Sequence, residues 1–345
     1  MKRVVFRAIL LAASLAGGQA TAQEFNEVQA VIKPWLNLEK SRGLRHLMRE
    51  IGRDRWLAAF GDDLSGTAGA LSAGHGLGGS LGGTHGATDA NGWNIWLDGQ
   101  AGRVEDTAVP RAYDGRQWSV SFGADTQVTD RVIVGGLINH SGTDVDNVFL
   151  PGNSTTSAVA AGPYAAVFLT DTLVLTGSLL YTWTDNDATS FGVASTWRSQ
   201  SWALNTTLTS YHPVGDWLLA PSVGISLDEE REDGYLDTAA TLFPAVRTRT
   251  GTFAFGGAVS RSFALGNGAA ITPELSVEAE WIFLNSTTAT TSVLADTRRF
   301  DVNATLGAEI AFSDSVSLSI NGTVSGLANP TYLSVVAGGR LTVSF

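Results

Sequence analysis

Four arginines, Arg42, Arg45, Arg49 and Arg53, recur at spacings of three and four, so on a helix they share one stripe. A guanidinium is a permanent cation with a fork of donors, and a carboxylate is its natural partner. Carboxylates occur at mostly even spacings far down the chain: Glu274, Glu278 and Glu280, then Asp301 and Glu309, with Asp98 on its own near residue 100. Even spacing on a strand puts side chains on one face. The chemistry open to these two sets is charge-assisted pairing rather than bond breaking. Asp228-Glu229-Glu230-Arg231-Glu232-Asp233 offers oxygen ligands to a divalent cation, but it lacks calcium-loop spacing and reads as a solvated surface loop. The five histidines, His46, His75, His85, His140 and His212, show neither ligand spacing nor a nucleophile–base pairing. His75 and His85 leave room for no more than a weak metal site. No catalytic residue, cofactor or metal is assigned.

The arginine stripe belongs to a helix expected over residues 23–60. Pro34 suits a first turn, and Leu44, Leu47, Met48 and Ile51 fall at i, i+3, i+4 and i+7 on a separate, apolar stripe. Gly43 and Gly52 each weaken such a helix by ~1 kcal/mol relative to Ala, and Gly61 is a fitting terminator. Residues 61–91 are glycine-rich, with 11 glycines between positions 61 and 92, and read as a linker or an exposed irregular segment.

The carboxylates belong to strands. At the tail, Leu333, Val335, Ala337, Gly339, Leu341, Val343 and Phe345 alternate with Ser334, Val336, Gly338, Arg340, Thr342 and Ser344. Period 2 with one apolar face marks a strand between two different solvents. A strand that runs to a terminal aromatic suits a sheet whose last strand closes on its first. Phe300 to Phe312 and Leu275 to Phe283 alternate in the same way. From Gly92 onward, short turns at Thr129-Asp130-Arg131, Thr170-Asp171-Thr172, Val214-Gly215-Asp216, Gly266-Asn267-Gly268 and Ser313-Asp314-Ser315 separate longer connections near 106–115, 146–155, 186–195, 228–247, 285–297 and 326–332. Five short turns and six long loops divide twelve strands, the rhythm of an outer-membrane barrel. Trp183, Tyr211, Trp217, Trp281, Phe312 and Phe345 lie near strand ends, as an interfacial girdle requires. A soluble sandwich alternates too, but most segments exceed the ~9–11 residues that a tilted spanning strand needs.

Composition agrees. In 345 residues only 16% are charged and 39 are glycine, and no apolar run of helix-spanning length follows the N-terminus. That excludes a helical membrane bundle. The absence of cysteine excludes disulfide stapling. Residues 1–22 carry Lys2, Arg3 and Arg7, then a short apolar core, then Ala20-Thr21-Ala22, the layout of an export signal. From Gly92 on, 12 basic residues stand against 25 acidic ones, a net of −13, whereas Lys40 to Arg55 has six basic against two acidic. An acidic body argues against nucleic acid as a partner.

Several segments carry a resemblance. Gly92-Trp93-Asn94-Ile95-Trp96-Leu97-Asp98-Gly99 is similar to the opening strand of the autotransporter translocator domain. Gly123-Ala124-Asp125 with Val128 to Gly136, then Gly162-Pro163-Tyr164, Leu173-Val174-Leu175, Tyr181 and Pro221-Ser222-Val223-Gly224, resemble its later strands in order, so the likeness covers Gly92 to Phe345. It implies a twelve-stranded barrel with a helix threaded through its lumen, delivering an N-terminal passenger to the cell surface. Here residues 23–91 contain no repeat, and a glycine-rich segment separates helix from barrel. Gly61-Asp62-Asp63-Leu64-Ser65 superficially resembles the nucleophile block of barrel-borne surface esterases, but Asp63 stands where the serine would be, so it reads as a helix terminus.

The expected architecture is an all-β, 12-stranded antiparallel transmembrane barrel at 92–345 behind a signal peptide (1–22), a basic helix (23–60) and a linker (61–91). Its bore is polar and acidic, lined by Asp98, Glu274, Glu278, Glu280, Asp301 and Glu309. Arg42, Arg45, Arg49 and Arg53 either dock the helix there or leave it loose in the periplasm or on a membrane surface. The expected role is a monomeric, non-enzymatic outer-membrane translocator of a Gram-negative-type bacterium, displaying at most a short N-terminal segment. Alternatives are a cation-favouring channel blocked by the helix, or an adhesin acting through its outer loops. Expected partners are outer-membrane lipid and, through the C-terminal strand ending at Phe345, the barrel-assembly machinery.

Overall fold

Twelve long strands follow one another in the order of the chain: β1 (Trp93–Asp106), β2 (Tyr113–Thr129), β3 (Val132–Asn147), β4 (Gly152–Phe168), β5 (Leu173–Ser190), β6 (Val193–Ser210), β7 (Trp217–Glu232), β8 (Val246–Ser260), β9 (Ala270–Thr287), β10 (Phe300–Ser313), β11 (Val316–Ser325) and β12 (Tyr332–Ser344). They come from a computed structural model that describes residues 42–56, 92–108, 112–148, 151–265, 269–288, 299–313 and 315–345. The expected signal peptide, the rest of the 23–60 helix, Gly61–Ser65, linker 61–91 with His75 and His85, and the Gly266-Asn267-Gly268 turn lie outside the described residues. Residues 42–56, α1, form the one helix among those described.

Every strand pairs antiparallel with the next, and β12 returns to β1 in register from Asp106↔Tyr332 to Asn94↔Ser344. The amide of Phe345 adds a last bond to the Trp93 carbonyl at 3.0 Å. The sheet is thus a closed 12-stranded barrel with no free edge.

Alternation sorts each strand between two environments. On β1, Trp93, Ile95 and Leu97 point out and are exposed, while Trp96, Asp98 and Val104 point in and are buried. Outward aromatics form two belts: Trp93, Trp217, Phe263 and Phe312 at the short-turn rim, and Trp118, Tyr181, Trp183, Trp202 and Phe283 toward the long-loop rim. Tyr211 leaves the expected girdle. Directly after β6, it keeps the inward parity of that strand's odd positions and is buried. Apart from the strands, nothing described is built to cross a membrane, since α1 is neither long nor apolar enough.

Two connections differ from expectation. β5 and β6 meet at a two-residue turn, Phe191-Gly192, both with positive φ (50° and 81°), so no long loop spans 186–195. β7 runs through Glu232, so Asp228 to Glu232 lie on a strand rather than in a solvated loop. Glu229 faces out, and Glu230 faces in, where it accepts from Ser199 Oγ at 2.7 Å. The loop that follows folds into a hairpin, Tyr235–Leu236 against Leu242–Phe243, with Trp197, Tyr235 and Phe243 stacked at 4.9 Å intervals. Burial pushes the Tyr235 phenol up, with help from Glu232 and Asp237.

Candidate functional site

The inner wall of the barrel is two-sided, and α1 matches both sides. Leu47, Met48 and Ile51 are buried against Trp96, Leu137, Tyr164 and Leu180, which come from β1, β3, β4 and β5. Burying such side chains contributes ~1.5–3 kcal/mol each. The bore is therefore not uniformly polar: four strands give the helix an apolar bed. Its glycines fit the wall closely. A Cβ at Gly52 would lie 3.1 Å from Thr176 Cγ2, and one at Gly43 3.1 Å from Gln100 Oε1. That close approach gives a reason for two residues that otherwise weaken the helix.

The opposite wall is acidic. Arg42 Nη2 meets Glu280 Oε2 at 2.5 Å and Asp301 Oδ2 at 2.6 Å. Arg45 pairs with Glu280, reaches Glu278 at 3.2 Å, and donates to Ser226 Oγ at 2.6 Å. Arg49 donates to Ser276 Oγ at 3.0 Å and lies 3.8 Å from Glu274. Arg53 bridges Glu274 at 2.5 Å and Glu309 at 2.7 Å. All four arginines are buried. Removing both charges from water offsets much of the attraction, so these pairs set the height and rotation of the helix more than the stability of the whole. Asp98 faces the bore too, but its described partner is Gln100 at 3.2 Å, not a helix arginine. Phe345 sits apart at the seam, 73% exposed.

Further contacts complete the site. Arg340, the one inward cation of β12, binds Asp54 at 2.9 Å and Glu50 at 3.3 Å. Arg55 pairs with Asp125, whose other oxygen accepts from Tyr164 at 2.7 Å, while Trp96 Nε1 donates to that tyrosine at 2.8 Å. Trp56 stacks on Tyr211 at 4.8 Å and donates to the Asp171 carbonyl at 2.5 Å. Strand parity alone would have marked Arg340 and Asp125 as lumen residues. Nothing local marked Tyr211 as the platform for Trp56.

These contacts fix the direction of α1. Trp56 ends at the turn between β4 and β5, on the short-turn rim, where Gly92 and Trp93 also begin the barrel. Arg42 lies farther along β9 and β10 toward the long-loop rim. Residue 42 thus lies toward the long-loop mouth, and Trp56 and Gly92 both lie at the short-turn rim. Cavities of ≈ 100 and ≈ 110 Å³ remain between helix and wall, one beside Arg42 and His46, the other beside Asp98 and Asp228. Among the described residues, no group of three or more His, Asp or Glu side chains could hold a metal ion.

The family model described as the Autotransporter beta-domain matches residues 95–323. No curated protein matches the chain. Among solved structures, the translocator domain of the autotransporter NalP from Neisseria meningitidis is similar at 14% identity and TM-score 0.62, over 84% of this chain and 97% of that one. The beta domain of the Bordetella autotransporter BrkA is similar at 19% and 0.59, over 73% and 99%. The transport unit of AIDA-I from Escherichia coli is similar at 10% and 0.56, over 84% and 99%.

Proposed function

The chain belongs to the autotransporter β-domain family, and from that premise we propose that this outer-membrane translocator barrel carries its own N-terminal segment outward and keeps α1 in the bore as a seal. What travels is the stretch ahead of residue 42. The stretch 61–91 is the tether on the periplasmic side, and residues 1–22 are the export signal. The single observation that carries this reading is the direction of α1. Its arginine-anchored start faces the long-loop mouth, and its end shares a rim with the first strand. The barrel works by passage and closure rather than by catalysis, as one barrel per chain set in outer-membrane lipid. The barrel-assembly machinery engages it through β12.

Because the chain has no cysteine, single-cysteine variants report topology without background. On intact cells, a membrane-impermeant maleimide is expected to label positions within 23–41 and to spare positions within 61–91 until the outer membrane is opened. Labelling of 61–91 from outside would reverse the proposed direction and overturn the reading.

A further inference from the structure

Among the described residues, the outer surface of the barrel carries a cationic cluster that no lumen role explains. Glu229 on β7 points away from the bore and is shared by three arginines. Arg231 meets it at 2.9 Å, Arg247 at 2.5 Å and Arg249 at 2.9 Å. The carboxylate is 5% exposed beneath guanidiniums that are 67, 39 and 47% exposed, so the face seen from outside is cationic. Three cations on one anion leave a local charge of +2 on a chain whose net charge is −11. Arg247 Nε is buried without a hydrogen-bond partner. Elsewhere near that rim Arg103 pairs with Asp114 and Arg198 with Asp185 at 3.1 Å, one carboxylate to each cation.

The height of the cluster matters as much as its charge. Glu229 is in register with Arg249 on one side and Trp202 on the other, and Trp202 is in register with Tyr181. Tyr181 and Trp202 are outward, exposed aromatics of the long-loop belt, where the apolar band gives way to headgroups. Arginine forks suit phosphate oxygens bidentately, and the lower dielectric beside the apolar band strengthens such contacts. We propose that Arg231, Arg247 and Arg249 form a binding site for the phosphate of an outer-leaflet lipid headgroup, with Tyr181 and Trp202 flanking the sugar or acyl junction.

The test is native mass spectrometry of the refolded full chain in detergent. It is incubated separately with diphosphorylated lipid A, with the same lipid stripped of phosphate, and with inorganic phosphate. Diphosphorylated lipid is expected to be retained, and Arg247→Gln with Arg249→Gln is expected to reduce retention roughly tenfold or more. Arg103→Gln with Arg198→Gln is expected to match the unaltered chain. Glu229→Gln removes the competing carboxylate and should raise retention, an outcome that misfolding cannot imitate. Unchanged retention in the Arg247 and Arg249 variant, or no gain in Glu229→Gln, overturns the site. Equal retention of dephosphorylated lipid would reduce it to apolar contact, and equal capture of inorganic phosphate would make it a free-anion site. Either result also overturns the proposal.

Discussion

Arg53 shows what a single buried cation does here. It holds Glu274 at 2.5 Å, Glu309 at 2.7 Å and its neighbour Asp54 at 3.0 Å. Arg53→Met keeps the length of the stem but leaves those carboxylates facing one another. Orphaning a buried charge costs ~3–5 kcal/mol. The expected result is a lower urea midpoint for the refolded barrel, followed by tryptophan fluorescence. Adding Glu274→Gln and Glu309→Gln should recover most of the loss, because the uncompensated anions are then gone. A single variant as stable as the parent would mean that the helix carries no anchoring load at this point. Residue chemistry of this kind was half legible in the sequence. The four arginines and five of the six proposed carboxylates meet. Asp98 does not, since its strand lies on the apolar bed of the helix rather than opposite its basic stripe.

At the scale of the element, the proposed sealing role requires α1 to hug both walls. Reversing Arg45 and Arg49 to glutamate sets two new negative charges against Glu274, Glu278 and Glu280, and should release the helix into solvent. Single-channel conductance in a planar bilayer is then expected to rise several-fold toward that of an empty twelve-stranded bore. Conductance unchanged from the parent would remove the helix from its sealing role. Gly52→Leu tests the other wall. Its branches would strike Thr176 and Tyr211, 3.1 and 3.6 Å from the Cβ position, so a smaller rise in conductance is expected despite a gain of ~1 kcal/mol in helix propensity. The strands themselves were legible because lipid and bore impose period 2 on each. Where a strand climbs past the apolar band, both faces meet polar surroundings and the signal fades. Asn186 to Ser190 and Asp228 to Glu232 are largely polar on both faces for that reason, and look like loop although they are strand. The apolar bed was illegible for another reason: Trp96, Leu137, Tyr164 and Leu180 lie far apart in the chain and become neighbours only once β1 to β5 have paired in register.

For the molecule as a whole, closure rests on the seam between the first and last strands, and the two jobs of that seam can be separated. β12 meets β1 over thirteen registered pairs, from Asp106↔Tyr332 to Asn94↔Ser344, and the Asn94 amide nitrogen donates to Ser344 Oγ at 2.7 Å. Phe345 lies beyond the last pair. Its backbone amide bonds to Trp93 while its ring, 73% exposed, packs on little of its own chain. Replacing an exposed side chain usually changes stability by less than ~0.5 kcal/mol. Phe345→Ala should therefore leave the refolded barrel closed, migrating as the compact species on unheated gels with an unchanged unfolding midpoint. In cells the same variant is expected to accumulate less in the outer membrane, since the ring is then missing from the strand offered to the assembly machinery. A parallel loss in detergent and in cells would show instead that the ring stabilises the seam directly, and an undiminished yield in cells would remove it from assembly altogether.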